Sequence, residues 1–198
     1  AAPGSQLMSG FKHEVDKQTF MESVENDTLK PLLNFEEVNA GDVFYIPAGR
    51  VHALGPGILL AEIQQTSDIT YRIYDWNRLD VSGLPRELHT EQAISAIDFS
   101  VEENYKTEYE AEENASNTLI STKKFSTKLV KLNQGMRKNY EELDSFVAYI
   151  CIEGNMKINV EDNETLVINK GETVLIPNAL NKVEIYPQPN VQFLEVFV

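Results

Sequence analysis

Apolar and polar residues alternate most clearly in the second half of the chain. Residues 125–132 follow a period of two, as a half-buried strand does, and 146–152 form the unbroken apolar run of a fully buried strand. Residues 156–160, 165–168, 174–176, 183–186 and 191–198 repeat the pattern at short intervals, with a turn predicted at Glu153-Gly154. Short strands with closely spaced turns predict a sandwich or barrel. The first half predicts three strands, 43–46, 58–64 and 69–74, too few to close a barrel. Between residues 16 and 34 the apolar positions Phe20, Met21, Val24, Leu29, Leu32 and Leu33 are spaced for a helix. Asn26-Asp27 and Pro31 interrupt them, which predicts two short helices. Residues 90–97 predict another, with Thr90 as N-cap, Glu91 in the first turn and Ala93, Ile94 and Ile97 turned inward.

The strings GDVFYIP at 41–47 and GETVLIP at 171–177 share a glycine turn, a short strand and a terminating Ile-Pro. They suggest two related β units. The stretch SVEENYKTEYEAEENASN between them is polar and acidic, which divides the chain into 1–99, a solvated linker at 100–117, and 118–198.

Composition narrows the chemistry. The 198 residues carry 17 Lys+Arg against 31 Asp+Glu, a net charge of -14, which argues against nucleic acid or an anionic membrane as a partner. One cysteine, Cys151, excludes an intrachain disulfide framework and reads as a small buried hydrophobe. No apolar run has the length of a membrane helix. The opening AAPGSQLMSG lacks an initiator Met, a basic region and an apolar core, and reads as a cut rather than as a translation start or signal peptide. Lys123, Lys124, Lys128 and Lys131 read as solvated charge on a sheet edge. There is no Walker loop, GxSxG elbow, HExxH or dinucleotide-binding GxGxxG.

Three histidines limit the metal and acid-base options. His13 and His89 fall in loop-like sequence, whereas His52, in IPAGRVHAL, follows a strand and a Pro-Ala-Gly turn that can aim a side chain into a barrel mouth. Counting from the shared glycines, Lys182 takes the place of His52 in the second copy, so a metal belongs to the first unit alone. Glu62 lies in an apolar strand-like run and Arg72 in an aromatic one. Two readings stay open: a cross-strand salt bridge, or a polar floor with His52 for a metal, Glu62 for proton transfer and Arg72 for an anionic intermediate.

The strings PAGRVHA, EIQQTSDITYR and YDWNR, followed by PRELH at 85–89, closely resemble type I mannose-6-phosphate isomerase in its short bacterial form, and the resemblance extends over essentially the whole chain. It implies a mainly β fold of two cupin (jelly-roll) barrels with a few short helices. The first would be incomplete at its N-terminal side and the second would lack metal ligands. It also implies a zinc-dependent aldose–ketose isomerase acting on mannose 6-phosphate and fructose 6-phosphate through an enediolate. His52 then matches a zinc ligand, Arg72 the active-site arginine, and Glu62 a strand glutamate of less defined role. The family's Gln-x-His pair, zinc glutamate and phosphate-binding lysine would lie before residue 1. Residues 1–198 alone are therefore expected to be inactive and to bind zinc weakly. A non-catalytic sugar-binding or regulatory cupin and a purely structural cupin are the alternatives. A phosphorylated substrate and a free cysteine suggest a cytoplasmic monomer or dimer.

Overall fold

In a computed structural model the chain is described over residues 1–66, 69–76, 78–160 and 165–198. It divides into two compact units, Ala1–Thr107 and Glu108–Val198. The chain as a whole follows the mainly β expectation, with most of its strands in unit 2.

Unit 1 holds a three-stranded antiparallel sheet in the order β2-β1-β3, made of β1 (Gln6–Phe11), β2 (Leu33–Glu37) and β3 (His52–Leu54). Its helices are α1 (Lys17–Glu25) and α2 (Thr90–Ala96). Asp16 caps α1 by accepting a hydrogen bond from the Thr19 N–H at 2.7 Å. The second predicted helix is reduced to one 3-10 turn at Lys30–Leu32, because Pro31 suits only a helix start, and Leu33 and Asn34 pass into β2. His89, not Thr90, occupies the cap position of α2, without a side-chain cap bond. Phe11 stacks on Phe99 at 5.4 Å between ring centroids and meets Phe20 edge-on at 6.2 Å, at the centre of the unit's apolar core.

None of the three strands predicted for this unit forms. Residues 43–46, 58–64 and 69–74 have strand-like sequence but no sheet partner among the described residues, and an extended run without a ladder is not a strand. The strands that do form lie where the apolar signal is weaker.

Unit 2 is a seven-stranded sheet in the order β4-β5-β10-β7-β8, with β6 also on β10 and β9 on β7. Its members are β4 (Ala115–Ser121), β5 (Ser126–Leu132), β6 (Met136–Asn139), β7 (Val147–Asn159), β8 (Thr165–Asn169), β9 (Thr173–Ile176) and β10 (Lys182–Phe197). The turn predicted at Glu153-Gly154 does not reverse the chain. Gly154 sits at φ +72° where β7 and β10 shift register, and β7 continues through it. The last two predicted strands are likewise one, since β10 runs unbroken past Pro187 and Pro189. β5 lies between β4 and β10, so its lysines are not edge charge, and Lys128 packs its ammonium 5.1 Å from the centre of the Phe197 ring. One face of the sheet gathers Val130, Val147, Tyr149, Met156, Ile158, Ile185 and Phe193 into the core, and Cys151 is buried with them. Burial raises the Cys151 thiol above its ordinary pKa.

Candidate functional site

His52 owes its setting to a turn that only glycine can make. Gly49 has φ +89°, and a Cβ there would come within 2.5 Å of the Ala96 carbonyl oxygen. The next residue, Arg50, is fixed from three sides. Its guanidinium donates to the Tyr45 carbonyl at 3.2 Å and to Glu102 at 2.6 Å, and lies 5.2 Å from the centre of the Tyr105 ring. Tyr105 is buried and donates its hydroxyl to the Phe11 carbonyl at 2.9 Å. His52 then opens β3, opposite Ser9 on β1, with its ring exposed. Its Nδ1 lies 3.0 Å from the Arg50 carbonyl oxygen, which can only accept, so Nδ1 carries the proton. In the neutral ring this leaves the Nε2 lone pair for a proton or a metal ion. The Ser9 hydroxyl is buried without a hydrogen-bond partner among the described residues.

Glu62 is exposed and has no ion-pair partner among the described residues. Arg72 is half-buried and tied to the PRELH segment through its backbone. Its N–H donates to His89 Nδ1 at 3.3 Å, and its carbonyl accepts from the His89 N–H at 2.7 Å. Its guanidinium reaches only the Glu87 carbonyl, at 3.5 Å, and among the described residues no carboxylate neutralises it. The expected Glu62–Arg72 bridge is not formed.

Beside it lies an ion cluster that composition and spacing did not single out. Asp75 is buried, takes a two-pronged contact from Arg86, with Nε at 2.7 Å, and a second cation from Arg78 at 2.9 Å. The Arg86 hydrogen bonds hold the Asp75 carboxyl down at about 2. YDWNR and PRELH are thereby clipped together, and Arg72 is the arginine of this region left without a counter-charge among the described residues. The signal was present as an aspartate in an aromatic string eleven positions from an arginine. Ser67, Asp68 and Asn77 of the same motifs lie outside the described residues.

A second polar cluster lies inside unit 2. Glu195, 2% exposed, accepts from Lys138 at 3.0 Å and from the Tyr140 hydroxyl, which also meets the Tyr149 hydroxyl; Lys138 donates in addition to Ser116. The members satisfy one another. Lys182, which stands in for His52 in the second copy of the repeat, is exposed and pairs with Glu141 at 3.1 Å.

Zinc requires several such donors around one point. Among the described residues no group of three His, Cys, Asp or Glu side chains converges in that way. These residues therefore do not fit zinc as a set; His52 offers it one nitrogen.

The description "Mannose-6-phosphate isomerase, cupin domain" matches residues 115–191. The mannose-6-phosphate isomerase of Bacillus subtilis is 33% identical over 171 residues, 85% of this chain and 53% of its own. That of Streptococcus mutans is 29% identical over 91% of this chain and 56% of its own. The crystal structure of the Bacillus subtilis enzyme superimposes with a TM-score of 0.85 at 28% identity, covering 98% of this chain and 60% of that one. The chain thus spans about half the length of the curated relatives it matches. In sequence and in fold it is similar to mannose-6-phosphate isomerases, with the match to their cupin domain at residues 115–191.

Proposed function

We propose that this chain supplies part of an aldose–ketose isomerase that interconverts mannose 6-phosphate and fructose 6-phosphate, with turnover belonging to a protein of the relatives' length. The observation that carries it is the Arg72 guanidinium, without a carboxylate partner among the described residues and beside two arginines that both pair with Asp75. In the open-chain aldose a base takes the C2 proton, the electron pair moves toward the carbonyl at C1, and an enediolate forms. With the O2 hydroxyl proton passed to O1, returning the carbon-bound proton to C1 as the C2=O2 double bond forms gives the ketose. Glu62, exposed and without an ion-pair partner among the described residues, is assigned the proton transfer, and Arg72 the developing negative charge on the enediolate oxygens. A zinc ion is part of the proposal, with His52 Nε2 as one ligand and the others from outside the described residues. The substrate's phosphate and the free Cys151 thiol favour the cytoplasm.

Arg72→Ala in a family-length protein is the test, read by a coupled assay on mannose 6-phosphate. Loss of an electrostatic stabiliser of this kind reduces kcat/KM by about 100- to 1,000-fold with the melting temperature unchanged. Unaltered turnover, or robust turnover by residues 1–198 alone, overturns the assignment. A second reading is a sugar-phosphate-binding cupin without turnover, since among the described residues no ligand group converges on one point. It predicts Arg72-dependent binding of mannose 6-phosphate by a protein that never isomerises it.

A further inference from the structure

Trp76 stands where the backbone suits glycine or asparagine. Its φ of +51° lies in the left-handed region, which among the described residues it shares, glycines aside, with Asp27 and Asn114. Asp and Asn enter that region readily, whereas a bulky side chain there is a strained outlier. Such strain persists only where the surroundings enforce it. Across Trp76 the Arg78 N–H donates to the Asp75 carbonyl at 3.0 Å, and the Arg78 guanidinium donates to the Asp75 carboxylate at 2.9 Å. Arg86 anchors the same carboxylate from the other segment. Burial does not account for a tryptophan at this position, because Trp76 is 44% exposed and belongs to neither apolar core.

The indole is nonetheless firmly placed. It meets the Tyr74 ring edge-on at 5.2 Å between centroids, and the Arg78 guanidinium lies over it, 5.7 Å from its centre. Arg72, four residues earlier, has no carboxylate partner among the described residues, and Arg78 and Arg86 share Asp75. The Cα atoms of Arg72 and Trp76 are therefore within about 14 Å of each other. An open aromatic face beside guanidiniums with spare donors matches a cyclic hexose phosphate on both counts. The C–H groups of a pyranose lie against the negative face of an indole, and its phosphate oxygens suit the guanidiniums. An aldohexose phosphate in water is almost entirely cyclic, while enediolate chemistry needs the open chain, so a ring must bind first. We infer that Trp76 is the platform on which the cyclic substrate stacks before its ring opens. This role rests on the hexose-phosphate reading of the site and adds to it the side chain that tells the ring from the open chain.

The experiment uses two unreactive ligands and the protein at the relatives' length. Methyl α-mannopyranoside 6-phosphate is a ring that cannot open, and mannitol 6-phosphate is a chain that cannot close. By calorimetry, Trp76→Gly weakens the glycoside by at least about tenfold and the hexitol by less than about threefold. Trp76→Tyr keeps an aromatic face and binds both within about threefold of the parent. Because Trp76→Gly and Trp76→Asn suit the left-handed backbone, their melting temperatures stay within about 4 °C of the parent or rise. Three results overturn the inference: equal weakening of both ligands, which makes Trp76 a support for the guanidiniums; unchanged affinity for the glycoside; or a larger fall in melting temperature in both variants, which makes Trp76 a structural residue. Failure of the parent to bind either ligand at about 10 mM defeats the hexose-phosphate reading as well. Trp76-dependent binding of the glycoside without turnover of mannose 6-phosphate supports the platform and counts against the catalytic assignment alone. Isomerase turnover with glycoside binding untouched by Trp76→Gly overturns the platform alone.

Discussion

Lys138→Met should injure unit 2 out of proportion to its size. Lys138 Nζ lies 3.0 Å from Glu195, whose side chain is 2% exposed. At that separation and an effective dielectric of about 20, the attraction is about 5 kcal/mol. Burial opposes it and depresses the Lys138 pKa, with Glu195 pulling the other way. The pair therefore adds little net stability, but removing the cation strands a buried carboxylate at a cost of about 3–5 kcal/mol. A unit of this size has about 5–14 kcal/mol in total, so about a fifth or more is lost. Lys138→Met combined with Glu195→Leu should recover most of the loss, because the Tyr140 and Tyr149 hydroxyls still pair with each other. Urea unfolding followed by tyrosine fluorescence and circular dichroism measures the double-mutant cycle. The chain's single tryptophan, Trp76, lies in unit 1 and gives a separate control signal. A loss below about 1 kcal/mol for the single variant, or a double variant as damaged as the two singles summed, would refute the reasoning.

Two further outcomes follow from the same structure. Tyr140 and Tyr149 are pushed well above the ordinary tyrosine pKa of 10.0, chiefly by burial, so the folded state keeps protons that the unfolded state sheds. Their stabilisation is complete below pH 10 and falls as pH rises, by about 1.4 kcal/mol each at pH 11. Replacing both with Phe should flatten urea-derived stability between pH 9 and 11, and an unchanged slope would exclude them as the cause. Gly10 has φ +67°, and a Cβ there would come within 2.5 Å of the Tyr105 ring, whereas Gly83, at φ +77°, faces open space. Gly83→Ala should cost about 1 kcal/mol and Gly10→Ala about 2–4 kcal/mol by thermal unfolding; equal costs would show that the Tyr105 contact carries no weight.

Much of unit 2 was legible because β5, β7 and β10 bury the residues that the pattern marks as apolar. β4 and β6 were not legible. ASNTLIS and MRKN carry few apolar residues and become strands only because β5 and β10 offer them unpaired edges. In unit 1 the same dependence worked in reverse, since 58–64 has the composition of a strand but no sheet partner among the described residues. At the site, composition and spacing singled out His52, Glu62 and Arg72 but could not show which charges neutralise each other. That Asp75 takes Arg86 and Arg78, leaving Arg72 without a carboxylate, depends on a chain reversal at residues 79–85 that no short-range pattern encodes.

β10 pairs with β5, β6 and β7, yet it comes latest among the strands of unit 2. The β4–β5 and β7–β8 hairpins close locally, but nothing joins one to the other until residues 182–197 have been synthesised and have left the ribosome. During that interval Val130, Val147 and Tyr149 are presented to the cell without the strand that covers them. Unit 2 is thus a fold whose closure waits for β10, and pairings of this sequence separation predict slow folding.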